Sequence, residues 1–198
     1  MTTWPKTWIE WTEGKHAFVS VPFTWLLPKA FMRCSALRQE GYDVHAGGPA
    51  VRLLPHFLAD VADCAPIDAR QVVRRYNVNA TFTTRGCVRQ CKFCAVPRTE
   101  GGFRELTGWL PGPIICDNNL TAASRQHFER VIASVKHYDW VDFNQGLDAR
   151  LLKDWHIDGL KELRLPHIRL AWDDVHSESV IVDAVARLTR AGFPKCKI

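Results

Sequence analysis

From about residue 79 to its end the chain alternates short apolar runs with amphipathic stretches, and each apolar run breaks off in a cluster of polar residues. No other feature narrows the fold as far. Parallel strands need a crossover connection, usually a helix, so repeated strand–helix units predict a parallel sheet covered by helices. The predicted strands are 79–83, 113–117, 140–143 and 167–172, and the second of these is continuous and apolar, as buried parallel strands are. The helix predicted over 121–138 carries Phe128, Val131, Ile132 and Val135 at i, i+3, i+4 and i+7. A helical stretch follows through Leu163. Val180, Ile181, Ala184, Val185 and Leu188 mark a last helix, stopped by Gly192 and Pro194. The connection over 98–113 reads as irregular. Ligands of such folds bind at the C-terminal ends of the strands. The pattern therefore predicts one site built from four strand ends: the loop after residue 83, Asp117-Asn118-Asn119, residues 144–150 with Gln145 and Arg150, and Asp173-Asp174.

The first of those strand ends carries the sharpest chemical signal. Cys87, Cys91 and Cys94 fall within eight residues, spaced C-x3-C-x2-C. Gly86 lets the chain turn before them, and Pro97 is expected to stop any immediate helix. Three thiolates on one loop can face one metal centre, and they cannot all pair with one another. Arg85, Arg89, Gln90 and Lys92 make the loop too polar for a core, and their charge favours thiolate and offsets the negative charge of a cysteine-ligated cluster; a plainly solvated loop is the alternative. A structural zinc site takes four protein ligands, so zinc would need a distant fourth such as His127 or Cys116. A four-iron cluster on three cysteines keeps one iron open.

This spacing, with the aromatic Phe93 just before the last cysteine, resembles the signature of the radical S-adenosylmethionine (radical SAM) superfamily. The resemblance covers about residues 78–198 and implies a partial (β/α) barrel of about four βα units. It implies a [4Fe-4S] cluster on Cys87, Cys91 and Cys94, with the open iron chelated by the amino and carboxylate groups of S-adenosylmethionine. Reductive cleavage of that sulfonium would give a 5′-deoxyadenosyl radical, with the electron coming from a flavodoxin- or ferredoxin-like donor. By position, Asn118 and Asn119 replace the Gly-Gly-Glu motif of many relatives and would meet the amino group. Gln145 and Arg150 would meet the ribose or carboxylate, and Phe93 would lie against the adenine. Arg150 reads equally as a salt-bridge partner of Asp148 or Asp154, and Phe93 as a core aromatic. Residues 94–101 look like the C-x-V-P-x-x-x-G stretch of methylthiotransferases acting on tRNA or protein, but only Cys34 and Cys64 lie upstream. A truncated, inactive cluster- or zinc-binding module is the remaining alternative. Barrels of this type have more βα units, and residues 195–198 read as the start of a fifth strand, so a fragment or a sheet completed by another chain is expected. The substrate is not legible.

The N-terminal part has its own pattern. Residues 16–22 read as a strand, and a helix is expected from Pro28 to its cap at Gly41, burying Phe31, Cys34 and Leu37. A second strand over 42–46 closes at Gly47-Gly48-Pro49, and a short helix is expected over 55–64. This βαβα order predicts a small three-layer unit with parallel strands. It resembles a shortened cobalamin-binding-type Rossmann unit, and Asp43-x-His45-x-x-Gly48 matches that family's D-x-H-x-x-G signature. The chain after it is too short for that fold, so His45 reads as an ordinary strand histidine. Trp4, Trp8 and Trp11 are expected to pack on the domain. The polar stretch 65–79 suggests domains over 1–72 and 73–198.

No run approaches the roughly 20 apolar residues of a membrane span, and the N-terminus lacks a signal-peptide core. The seven cysteines are odd in number and scattered, unlike a secreted disulfide framework. A reducing, cytoplasmic setting is the expectation. The net charge of +5 is dispersed, which permits nucleic-acid binding without indicating it.

Overall fold

The computed structural model describes residues 4–67 and 72–198. It is a mixed α/β protein with small parallel and mixed sheets. Two compact units divide the chain, Met1–Val78 and Asn79–Ile198; composition placed the boundary after residue 72. Residues 68–71 of that polar stretch, and the first three residues of the N-terminal segment, lie outside the described residues.

The first unit begins with β1 (Ile9–Glu13) and β2 (His16–Ser20), followed by α1 (Leu27–Gln39), β3 (Asp43–Gly47), α2 (Pro49–Leu53) and α3 (Val72–Tyr76). Its sheet runs β1-β2-β3, with β1 antiparallel to β2 and β2 parallel to β3. The sequence reading missed β1 and expected only parallel strands. Both faces of β1 are at least partly exposed, so it lacks the apolar alternation that marks a half-buried strand. Trp11 packs on the domain as expected, sitting in β1 and stacking on Phe18 across the hairpin with ring centroids 5.1 Å apart; Trp8 packs against the core of this unit, and Trp4 is exposed.

The helix expected from Pro28 to Gly41 is α1. Tyr42 N–H bonds Leu37 O and Gly41 N–H bonds Arg38 O, with Gly41 at φ 93, a Schellman-type stop. Cys34 and Leu37 are buried, while Phe31 is only partly so. The helix expected over 55–64 is displaced. The α-helical turns are α2, with Pro49 at the first position, and Pro55–Phe57 form a single turn of 3₁₀ helix. Gly48 starts α2 at φ 94, and a Cβ there would meet Val21 O at 2.6 Å, so only glycine lets the chain leave β3 at this angle.

The second unit contains β4 (Ala80–Thr81), β5 (Thr84–Arg85), α4 (Val96–Thr99), β6 (Arg104–Glu105), β7 (Ile114–Ile115), α5 (Arg125–Val135), β8 (Asp142–Phe143), α6 (Asp154–Lys161) and α7 (Glu178–Arg190). Strands β4, β7 and β8 form a parallel sheet in that order, with Thr81 opposite Ile115 and Ile115 opposite Phe143. The fourth expected strand contributes one parallel bridge, Leu147 to Leu170.

Two expectations fail here for local reasons. Pro97 does not stop a helix: it sits in the first turn of α4, where a missing N–H costs nothing. The connection after α4 is not wholly irregular, because β6 pairs antiparallel with β5. The end of the chain also departs from expectation: Lys195–Lys197 form a 3₁₀ turn rather than a strand.

The core of this unit is Phe128, Val131, Ile132 and Val135 from α5 packed on Ile115, Val141 and Phe143 from the sheet, with Leu160 and Leu188 from the later helices. Ser124 caps α5 by accepting the His127 N–H at 3.2 Å. A Cβ on Gly159 would stand 2.8 Å from the Phe128 ring, so this glycine lets α6 approach α5 closely. Among the described residues no helix is long and apolar enough to cross a membrane.

Candidate functional site

The polar ends of the parallel strands in the second unit are tied together by three acidic side chains. The first is Asp117, just past β7. It is 3% exposed, and its Oδ1 accepts the backbone N–H groups of Thr83 and Thr84 at 2.6 and 3.0 Å. The Thr83 hydroxyl donates to its other oxygen. Burial pushes the Asp117 carboxyl up to about 6, with the threonine hydrogen bonds acting against that rise. Asp117 thus clamps the chain where it leaves β4 toward the cysteines. Behind the clamp, His127 is fully buried. Arg130 donates to its Nδ1 at 2.9 Å, so the proton lies on Nε2, 3.4 Å from the Thr83 hydroxyl.

The second carboxylate is Glu100. Its Oε2 accepts Gly86 N–H at 3.0 Å and Asn118 Nδ2 at 2.9 Å, and it pairs with Arg85 Nε at 3.1 Å. Gly86 turns at φ 72, and a Cβ there would stand 2.2 Å from Gly102 O. Only glycine lets the cysteine loop fold back over the β5–β6 pair. Within the loop, Cys94 N–H bonds Cys91 O at 3.0 Å. Cys87, Cys91 and Cys94 are all half-buried free thiols.

The third carboxylate, Asp148, joins three strand ends. It is 5% exposed. Arg89 of the cysteine loop donates its Nε at 3.1 Å, and Asn119 after β7 donates its Nδ2 at 3.3 Å. Arg150, two residues on, donates Nε at 2.6 Å and Nη2 at 3.1 Å. Burial alone would raise the Asp148 pKa; the hydrogen bonds and charge of Arg150, then of Arg89, outweigh it and hold the carboxyl below its usual value. Hydrogen bonding to Asp148 likewise raises Arg150, with smaller contributions from the charges of Cys91 and Asp173.

Three of the four expected strand ends are therefore hydrogen-bonded together. Asn119 is buried, with Nδ2 also 3.6 Å from Cys87 Sγ. Asn118 is held on Glu100. Of the two readings of Arg150, the structure has the ion pair with Asp148. Phe93 is 71% exposed and is not a core aromatic. Gln145 is exposed after β8.

The candidate fourth zinc ligands are engaged elsewhere: His127 with Arg130 and Thr83, and Cys116 inside the sheet, its thiol pushed up to about 12 by burial. Among the described residues no three His, Cys, Asp or Glu side chains converge as a group able to hold a metal ion, the cysteine trio included. The sequence reading passed over Glu100; it placed Asp117 in a strand end of the site and Asp148 as a salt-bridge partner of Arg150, but gave neither a part in joining the strand ends. The available signal was position alone, acids at strand ends beside the cysteine loop. No family model matches this chain, and no curated protein matches it.

Proposed function

We propose that the second unit is a radical SAM-type core, a partial (β/α) barrel in which Cys87, Cys91 and Cys94 hold a [4Fe-4S] cluster and the neighbouring strand ends bind S-adenosylmethionine. The observation that carries this reading is the surroundings of Cys87: its Sγ accepts the Arg89 backbone N–H at 3.3 Å and faces Asn119 Nδ2 at 3.6 Å. Donors aimed at a sulfur suit a ligating thiolate, and sulfur hydrogen bonds are a lever on cluster chemistry. In number and kind the three free thiols would leave one iron of a four-iron cluster without a protein ligand, and binding a cluster would have to draw together side chains that do not converge as they stand. When bound, the cluster supplies an electron for reductive cleavage of S-adenosylmethionine to a 5′-deoxyadenosyl radical.

The chain's own residues bind and orient. Arg150 keeps its Nη1 for the cofactor's carboxylate while Asp148 fixes the rest of the guanidinium. Asn118 offers Oδ1 to the ammonium, its Nδ2 anchored on Glu100. Phe93 offers an exposed ring to the adenine, and Gln145 an exposed amide to the ribose. The electron donor would be a flavodoxin- or ferredoxin-like protein, and a reducing, cytoplasmic compartment suits the free thiols.

Anaerobic reconstitution with iron and sulfide tests the reading. About four irons per chain are expected, with loss of the brown chromophore in Cys87→Ala, Cys91→Ala and Cys94→Ala. A chromophore that survives the triple substitution overturns it. So does tightly held stoichiometric zinc without iron.

A further inference from the structure

Two N–H donors point at Cys87 Sγ, and both belong to residues held by one carboxylate oxygen. Arg89 gives its backbone N–H to the sulfur at 3.3 Å and its Nε to Asp148 Oδ2 at 3.1 Å. Asn119 Nδ2 stands 3.6 Å from the same sulfur and 3.3 Å from the same Oδ2. A side-chain amide nitrogen carries two hydrogens, so Asn119 serves both acceptors at once. Its Oδ1 accepts the Thr121 hydroxyl at 2.9 Å, and Thr121 Oγ1 in turn accepts the Asp148 N–H at 3.2 Å. Arg150 holds both Asp148 oxygens, its Nε donating to Oδ1 and its Nη2 to Oδ2. The carboxylate is thereby fixed from three sides. Among the described residues neither Cys91 Sγ nor Cys94 Sγ accepts a hydrogen bond, so the arrangement singles out one sulfur of the three.

We infer that Asp148 is the positioning residue of the cysteine loop: by holding Arg89 and Asn119 together it aims both N–H donors at Cys87 and sets that sulfur apart from its two neighbours. The consequence for redox chemistry rests on the reading of Cys87 as a cluster ligand; the geometry does not. N–H donors stabilise the more negative, reduced form of a sulfur-ligated cluster and so raise its reduction potential. Releasing the donors lowers it.

Amide hydrogen exchange on the full-length, metal-free protein tests the geometry. The Arg89 amide is expected to exchange about five- to tenfold faster in Asp148→Asn and in Arg89→Ala than in the wild type, the effect of losing one hydrogen bond. The Arg89→Ala variant keeps the backbone N–H and removes only its tie to Asp148. Unchanged protection of Phe128 and Val131 in α5 shows that the fold is intact. Should Asp148→Asn lose that protection and unfold, Arg89→Ala decides alone. Equal exchange of this amide in wild type and variants overturns the inference.

In reconstituted protein, a redox titration followed by electron paramagnetic resonance is expected to place the midpoint of Asn119→Leu, which removes one donor to Cys87 without changing the charge, below that of the wild type. An unmoved potential overturns the inference although the cluster is present. A wild-type chain that takes up no iron overturns the cluster reading instead, and the exchange rates still decide whether Asp148 positions the loop.

Discussion

The two units bury different things. In the first, each strand pairing runs over five residues, and among the described residues its interior is apolar apart from Ser20 and Asn77. In the second, the parallel ladders run over two residues each, and Thr83, Asp117, Asn119, Thr121, His127, Asp148 and His156 are all buried. Short ladders leave backbone groups near the strand ends without sheet partners, and buried groups must find others. Asp117 supplies them for Thr83 and Thr84. A buried carboxylate costs stability unless it is well hydrogen-bonded. The second unit accepts that cost at its strand ends and gains a polar mouth held by hydrogen bonds; the first has the more regular sheet. The cysteines follow the same division. Burial pushes Cys34 in the first unit up to about 11, the behaviour of a small core hydrophobe, whereas the loop cysteines are half-exposed and Cys87 faces two donors.

Four measurements would break or sharpen this contrast. Phe128 is the largest fully buried side chain, and Phe128→Ala should cost about 3–5 kcal/mol in denaturant unfolding. A smaller loss would mean that the polar network, not the apolar core, dominates the second unit. Asp117→Ala strands the Thr83 and Thr84 N–H groups and should cost about 2–4 kcal/mol, since a buried donor without a partner costs about 1–3. A neutral outcome would show that the clamp is dispensable and the contrast between units overdrawn.

The third measurement concerns pH. His156 is buried, and burial, aided by the charges of Lys153 and Arg187, lowers its pKa to about 4. Its folded-state pKa is depressed, so its contribution is full above about 6.5 and is lost as pH falls toward 4. Asp117 has the opposite sign. Its folded-state pKa is raised to about 6, so its contribution is full below about 3.8 and is lost as pH rises through 6. Between pH 4 and 6 the two oppose each other. Relative to wild type, His156→Leu should therefore gain stability as pH is lowered from 7 to 4, and Asp117→Asn should lose it, each by up to about 3 kcal/mol. Parallel curves for the two variants would rule out these assignments.

The smallest effect is expected in the first unit. Arg33 pairs with Glu10 at 2.9 Å and Glu40 at 3.1 Å, partly exposed, and Arg33→Ala should cost about 0–1 kcal/mol. A larger loss would show that the first unit also depends on its polar contacts.

The elements that sequence reasoning located are those with a strong local period or a clear stop. Helix α5 follows the spacing of Phe128, Val131, Ile132 and Val135, and α1 ends where Gly41 takes the left-handed conformation. The misses are elements with weak local signals. Strand β1 lies exposed on both faces, β6 is two residues long, and α2 begins at a proline read as part of a turn. The rim was predicted as a set of strand ends, and three of the four are hydrogen-bonded together. The residues that join them were not predicted. Asp148 lies 59 positions from Arg89, and Asp117 lies 34 from Thr83. No local pattern records a contact of that range.

The sequence by itself determined the alternation of strands and helices, the apolar face of each helix and the placing of three cysteines at a strand end, because each is set by residues within a turn or two of one another. Only the tertiary structure decided that Glu100, Asp117 and Asp148 would be the joints of the mouth, and that Cys87 alone of the three would receive two donors. A carboxylate becomes a joint when burial removes its water and leaves protein N–H groups as its partners, and that depends on what the folded chain brings beside it.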